Sequence, residues 1–136
     1  MCLALAMPKQ KPQGREGHVT TDRISIRVDF ASGARIGPGK VAVLEEIARA
    51  GSISAAGRVL RMSYRRTWEL VEEMNSSMGT PVVTTVAGGN GGGGTVLTPA
   101  GKAIIEHYRA IEIETAQATR AHLLALGRVC AAKGNR

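Results

Sequence analysis

Two arginines, Arg65 and Arg66, follow Ser63 and Tyr64 within the stretch Gly51 to Asn75, GSISAAGRVLRMSYRRTWELVEEMN. Guanidinium groups can grip phosphate oxygens, or pair with a guanine edge through two hydrogen bonds. The spacing gives that chemistry a direction. Ser63 reads as the N-cap of a helix from Tyr64 to about Met74, which puts both arginines in its first turn. The helix dipole disfavours cations there unless an anion stands nearby, so a phosphate or base edge would relieve the placement. The acids of the same helix, Glu69, Glu72 and Glu73, lie further along. A shorter helix is predicted before it, from about Ala55 to Leu60 behind a Ser54 N-cap, with Arg61 and Met62 making the break. Two helices in tight succession, the second with a basic head, form the pattern of a helix-turn-helix, which offers the first residues of its second helix to the major groove. The candidate DNA-contacting residues are Ser54, Ser63, Tyr64, Arg65, Arg66 and Trp68.

The flanking elements must position this pair. Arg23 to Phe30 alternates Ile24, Ile26, Val28 and Phe30 with polar residues and predicts a half-buried strand. ASGARIGPG follows as a turn. Pro38 opens a supporting helix that extends to about Ala50, with Val41, Leu44, Ile47 and Ala48 on its inner face, and Gly51 ends it. In the pair, Ala56, Val59 and Leu60 are expected inward, while Ala55, Ala56 and Gly57 are small enough for close helix approach. The second helix offers two candidate buried faces. Thr67, Leu70, Val71 and Met74 fit the helical spacing and are favoured, which leaves Tyr64, Arg65 and Trp68 on the open side and Arg66 at its edge. The competing face of Tyr64, Trp68 and Val71 would make Trp68 a core aromatic.

Beyond Asn75, SSMGTP turns the chain and PVVTTV reads as a strand through Val86. Six of the seven residues from Gly88 to Gly94 are glycine, and TVL makes a short returning strand. Strand, flexible tip and strand directly after a helix-turn-helix is the order of a winged version, with Arg23 to Phe30 available to complete a small sheet. Gly88, Gly89, Asn90, Gly91 and Gly92 form the expected wing tip. Thr98 and Pro99 then start a helix that reaches about Leu126, with room for a break. Its apolar residues, among them Ile104, Ile105, Tyr108, Ile111, Ala118 and Leu123, make a stripe longer and broader than one small domain covers, so a homodimer interface is expected there; packing across its own domain is the simpler alternative. The fold class is therefore mainly α with a small β wing: a disordered basic tail at 1–22, a winged helix-turn-helix at 23–98, a dimerisation helix at 99–127 and a flexible tail at 128–136.

Composition supports polyanion contact and argues against other classes. With 136 residues the chain makes one ordinary domain, and 18 Lys and Arg against 11 Asp and Glu give a charge of +7. Five arginines and no acid lie between Arg49 and Arg66, so the excess coincides with the helix pair. For Arg49 and Arg58 a solvated helix face is the simpler reading. Cys2 and Cys130 are far apart and lack ligand spacing, which argues against a disulfide framework or zinc site. No stretch reaches the length of a membrane span, and the opening MCLALAMPKQK has no basic residues ahead of its apolar run, so a cytoplasmic protein is expected. Gly89 to Gly94 formally satisfies GxGxxG, but a strand rather than a helix follows it, and no Lys-Ser/Thr pair is present. His18, His107 and His122 are scattered, and no nucleophile elbow, paired carboxylates or HExxH-like cluster is visible. No catalytic residue, metal or cofactor is assigned.

The combination of SISxAA, SYxxxW, EMN and a glycine-rich wing before LTxxG resembles the N-terminal winged helix-turn-helix domain of ModE-type molybdate-responsive transcriptional regulators, over about residues 23 to 126. SIS-AA and LTPAG carry a more distant likeness to LysR-type DNA-binding domains. The resemblance implies a cytoplasmic homodimer on palindromic operator DNA of molybdate-transport or molybdoenzyme genes, with Ser63, Tyr64, Arg65 and Trp68 toward the DNA. It departs from the family in two places. Relatives carry a molybdate-binding portion after this domain, whereas this chain stops at Arg136, so direct molybdate binding is not expected. The wing also lacks basic residues. A protein-interaction adaptor that uses the helix-turn-helix without reading DNA is the alternative; an enzyme is a distant third.

Overall fold

A computed structural model describes residues 21–89 and 92–134. The element order is β1 (Val28–Asp29), β2 (Arg35–Ile36), α1 (Pro38–Ala50), α2 (Ile53–Leu60), α3 (Tyr64–Ser77), β3 (Val83–Gly89), β4 (Gly92–Leu97), α4 (Pro99–Ala118) and α5 (Arg120–Gly134). This is the mainly helical, winged helix-turn-helix architecture expected.

The core forms where α1 crosses α2 and α3 over the base of the wing. Val41, Val43, Leu44 and Ile47 of α1 meet Ala56 of α2, Leu70, Val71 and Met74 of α3, Val82 and Val83, Leu97 of β4 and Tyr108 of α4. Burying each of the larger of these side chains contributes about 1.5–3 kcal/mol. Two inner faces differ from expectation. Ala48 is exposed and Val43 takes its place inside; Val59 is exposed, whereas Ala56 and Gly57 carry the buried side of α2. An eight-residue helix has barely two turns, so its neighbours, not its apolar count, choose its inner face.

The α2–α3 junction is tight. Arg61 adopts left-handed backbone (φ 60°) and its amide donates back into α2, while the Met62 amide donates to the Gly57 carbonyl at 2.8 Å. A β-carbon on Gly57 would stand 2.7 Å from Thr67 Oγ1 and 3.0 Å from the Met62 carbonyl oxygen. Close approach therefore requires glycine here. At the preceding corner Gly51, at φ 76°, ends α1 in the left-handed conformation that glycine adopts without steric cost.

β3 and β4 pair antiparallel from Val83↔Leu97 to Gly89↔Gly92, with an irregularity after Val86↔Gly94. The strands thus run further into the glycine tract than expected: Gly88, Gly89 and Gly92 are strand residues, while Asn90 and Gly91 lie outside the described residues, as does the tail over 1–20. The Thr95 amide of β4 donates to the Gly51 carbonyl at 2.9 Å and ties the wing to the α1–α2 corner. Arg23 to Phe30 does not complete the wing sheet. Only Val28–Asp29 is strand, and it pairs with Arg35–Ile36, inside the expected turn, as a separate two-stranded sheet. Ile24, Ile26 and Val28 still alternate inward, and Ile26 offers its carbonyl to the Tyr108 hydroxyl at 2.6 Å.

Thr98 caps α4, its Oγ1 accepting from the Gly101 amide at 3.1 Å and donating to the Pro81 carbonyl at 2.8 Å. At Thr119 the helix is interrupted, and the Thr119 hydroxyl donates to the Thr115 carbonyl at 2.7 Å, a back-bond that bends helices. α5 then runs to Gly134, so residues 128–134 are helical where a flexible tail was expected.

Gly57→Ala should destabilise the fold by about 1–3 kcal/mol through forced overpacking. Gly39→Ala, in α1 where a β-carbon meets nothing within 4 Å, should be neutral or raise stability by up to about 1 kcal/mol. Urea denaturation monitored by circular dichroism measures both.

Candidate nucleic-acid interface

The open side of α3 is defined by what its other side buries. Thr67, Leu70, Val71 and Met74 are all buried, as the favoured face required, and Thr67 Oγ1 donates to the Ser63 carbonyl at 2.9 Å. Ser63 caps the helix, its hydroxyl accepting from the Arg66 amide at 3.0 Å. Tyr64 and Trp68 stand outward at 57% and 44% exposure, so Trp68 is not a core aromatic. Arg65 and Arg66 are exposed beside them. The Arg65 Nε pairs with Glu69 at 3.0 Å and Arg66 reaches the same carboxylate at 3.9 Å. Exposed pairs of this kind contribute about 0–1 kcal/mol and leave both guanidiniums free to exchange partners.

On α2 the cap is Ser52, whose Oγ accepts from the Ala55 amide at 3.0 Å; Ser54 is already inside the helix. The expected Ser54 cap is corrected by two residues because two serines bracket Ile53 and both offer a hydroxyl. Ser54 is exposed and its Oγ accepts from Arg58 at 3.2 Å. The structure therefore brings Ser54, Ser63, Tyr64, Arg65, Arg66 and Trp68 onto exposed positions of the two helices.

Along the last helices the outcome is mixed. Ile104 and Ile105 are half-buried against the core and Tyr108, at 3% exposure, belongs to it, so Tyr108 is no surface residue; burial pushes its hydroxyl pKa upward. Ile111 and Ala118 are exposed and Leu123 is half-buried. Arg109 fixes α4 to α1 through a two-pronged bond to Glu45 at 2.8 and 2.7 Å, with Glu112 at 2.6 Å. Those carboxylates, Glu45 first, raise the pKa of its guanidinium against the opposing effect of burial.

Two supporting residues were not anticipated. Lys40 Nζ donates to the Arg35 carbonyl at 3.0 Å and to Glu73 at 2.8 Å, joining β2, α1 and α3. Asn75 near the end of α3 accepts from the amides of Val82 at 2.8 Å and Val83 at 3.2 Å and donates to the Val83 carbonyl at 3.2 Å. Asparagine in the EMN motif was the one available signal for that amide lock; a lysine at the third residue of α1 gave none. Among the described residues no group of three or more His, Cys, Asp or Glu could hold a metal ion, and no helix is long and apolar enough to cross a membrane.

Residues 39–102 match the model of the lysR-family bacterial regulatory helix-turn-helix proteins, a span that begins in α1 and ends in the first turn of α4. The molybdenum-pterin-binding protein MopB of Rhodobacter capsulatus is 50% identical over 86 residues, covering 63% of this chain and 32% of MopB. Over these residues the chain is similar to proteins of the MopB and ModE names. ModE of Azotobacter vinelandii, a molybdenum transport protein, is 41% identical over 92 residues, 68% of this chain and 33% of its own. The Escherichia coli K12 ModE, a DNA-binding transcriptional dual regulator, is 38% identical over 71 residues, 52% of this chain and 27% of its own. The chain thus spans about a third of the length of the first two of these relatives. Among solved structures, the DNA-binding domain of CbnR in complex with DNA is 22% identical with a TM-score of 0.49, over 64% of this chain and 95% of that one. The ModE-type resemblance carried by SISxAA, SYxxxW and EMN is borne out by these relatives.

Ser63→Ala removes the α3 cap and should cost about 1 kcal/mol, read by urea denaturation. Lys40, through its hydrogen bond first and then its charge, holds the Glu73 carboxyl below the usual carboxylate range, and Arg66 and Arg35 add to this. A carboxyl more acidic folded than unfolded gives stability that is present above its unfolded pKa and lost as pH falls through the folded one. Glu73→Gln should therefore lose less melting temperature than the parent between about pH 7 and about pH 3, measured by circular dichroism.

Proposed function

We propose that this chain is the DNA-binding part of a sequence-specific transcriptional regulator that acts as a homodimer on a palindromic operator of molybdate-transport or molybdoenzyme genes. One observation carries the reading: α3 is capped by Ser63, buries Thr67, Leu70, Val71 and Met74, and leaves Tyr64, Arg65, Arg66 and Trp68 exposed on its other side. The first turn of a helix docked in the major groove is where base edges are read. Residues 23–98 form the DNA-binding unit in this reading, with Ser54 and Ser63 near the backbone and the glycine-rich hairpin as the wing. The names of the ModE relatives support the regulatory and molybdenum assignments. Cytoplasmic location follows from the proposed role.

Residues from Pro99 onward supply association. Ile111, Ile113, Leu124, Leu126 and Val129 are exposed apolar side chains on α4 and α5, more than a monomer needs to show. They equally favour a second reading, an adaptor that binds another protein through this strip. Sedimentation at micromolar concentration distinguishes them: the dimer reading expects a two-chain species that Leu124→Glu with Leu126→Glu converts to one chain, and a monomeric parent refutes it.

Selection from a random duplex pool should enrich one inverted repeat. Arg65→Ala should then weaken binding to it by about 1–3 kcal/mol while changing binding to scrambled duplex far less, as measured by fluorescence anisotropy. Equal affinity of the parent for enriched and scrambled duplexes would remove the sequence-specific claim.

A further inference from the structure

We propose that the β1–β2 hairpin, through Arg27 and Arg35, is a second phosphate-contacting surface that grips the duplex backbone beside α3; the inference rests on the DNA-binding reading above. The wing strands Val83–Gly89 and Gly92–Leu97 contain no lysine or arginine. A duplex is held mainly by cations that neutralise its phosphates, so this chain must carry them somewhere other than its wing strands.

The hairpin supplies them next to the basic head of α3. Arg27, Arg35, Lys40 and Arg66 border one concavity of about 430 Å³, with Leu70 and Glu73 on its α3 side. Lys40 is the brace rather than the contact: it is 13% exposed, and its bonds to the Arg35 carbonyl and Glu73 hold β2 at a fixed offset from α3. The arginines are open, with side chains 60% and 62% exposed for Arg27 and Arg35. Both reach one carboxylate, Asp29, at 2.9 and 3.7 Å, just as Arg65 and Arg66 share Glu69 at 3.0 and 3.9 Å. Arg27 and Arg35 have one carboxylate between them, which leaves a positive charge uncompensated on the hairpin side of the concavity, across from Arg66. Solvated pairs of this kind hold their partners weakly, and a phosphate, to which guanidinium binds in two-pronged fashion, displaces them. The contact is sequence-independent, so it adds grip and fixes the orientation of α3 without reading bases.

The test measures binding of the full chain to a mixed-sequence duplex of about 30 base pairs across a potassium chloride series. For the double variant Arg27→Gln with Arg35→Gln, the slope of log affinity against log salt should shrink by about 2, close to 0.9 for each phosphate that is no longer neutralised. The preference for enriched over scrambled duplex should persist, and Asp29→Asn should raise affinity. Arg49→Gln at the end of α1, an exposed cation outside the hairpin and the association helices, should leave the slope as it is. An unchanged slope in the double variant while the parent remains salt-dependent overturns the hairpin contact alone, and a lowered melting temperature with that unchanged slope assigns the arginines to folding. A slope reduced equally by Arg49→Gln also overturns it, because net charge would then suffice. A parent without salt-dependent duplex binding overturns the DNA-binding reading itself and this inference with it.

Discussion

The fold turns on one buried hydroxyl. Thr67 is fully buried, and it lies where α2 and α3 come closest, opposite Gly57 and one turn after Ser63. Its Oγ1 satisfies itself on the Ser63 carbonyl, so the polar atom is placed in the core without an unpaired donor. The same short contact excludes any side chain at Gly57 and obliges the chain to turn through the left-handed Arg61. From this point the angle between α2 and α3 is set, and so is the direction in which Tyr64, Arg65 and Trp68 leave the surface.

The exposed face of α3 is then a by-product of packing rather than an independent design. A 3.6-residue period that commits Thr67, Leu70, Val71 and Met74 to the core has no freedom left for the residues between them. Charge is distributed by the same logic. Arginines open the helix, where its dipole opposes them, and Glu69 offsets them one turn later. Glu73, a further turn on, is taken up by Lys40 from α1, so the acidic side of α3 is used internally and the basic end remains at the surface.

Much of this was legible in residue order because it is local. The Ser63 cap, the buried face of α3, the start of α1 at Pro38, the Gly51 stop and the Thr98–Pro99 start all depend on neighbours within a turn. What failed depends on distant partners. The alternation of Ile24, Ile26 and Val28 is real in burial, but most of that segment finds no strand beside it and leans instead on Tyr108, far along the chain. Arg35–Ile36 was hidden among glycine, serine and proline punctuation, although it is the strand that pairs with Val28–Asp29. A count of apolar residues puts Val59 and Ala48 inward, whereas Gly57 and Val43 fit the space available. In the candidate site, the α3 face was readable from period alone; Arg27, Arg35 and Lys40 were not, since only the folded hairpin brings them beside Arg66.

Asn75 gives α3 a mechanical character. Its amide imitates a strand neighbour, exchanging three hydrogen bonds with Val82 and Val83 at the root of the wing. From that clamp to Tyr64 the helix is a lever of roughly 16 Å at 1.5 Å per residue, so a tilt of about 10° at the clamp would sweep the tip by about 3 Å, a full hydrogen-bond length. The tolerance on aim at one end is therefore set by a carboxamide at the other. Aspartate, nearly identical in shape, would keep the two acceptances but forfeit the donated bond, and the lever would pivot on a looser bearing.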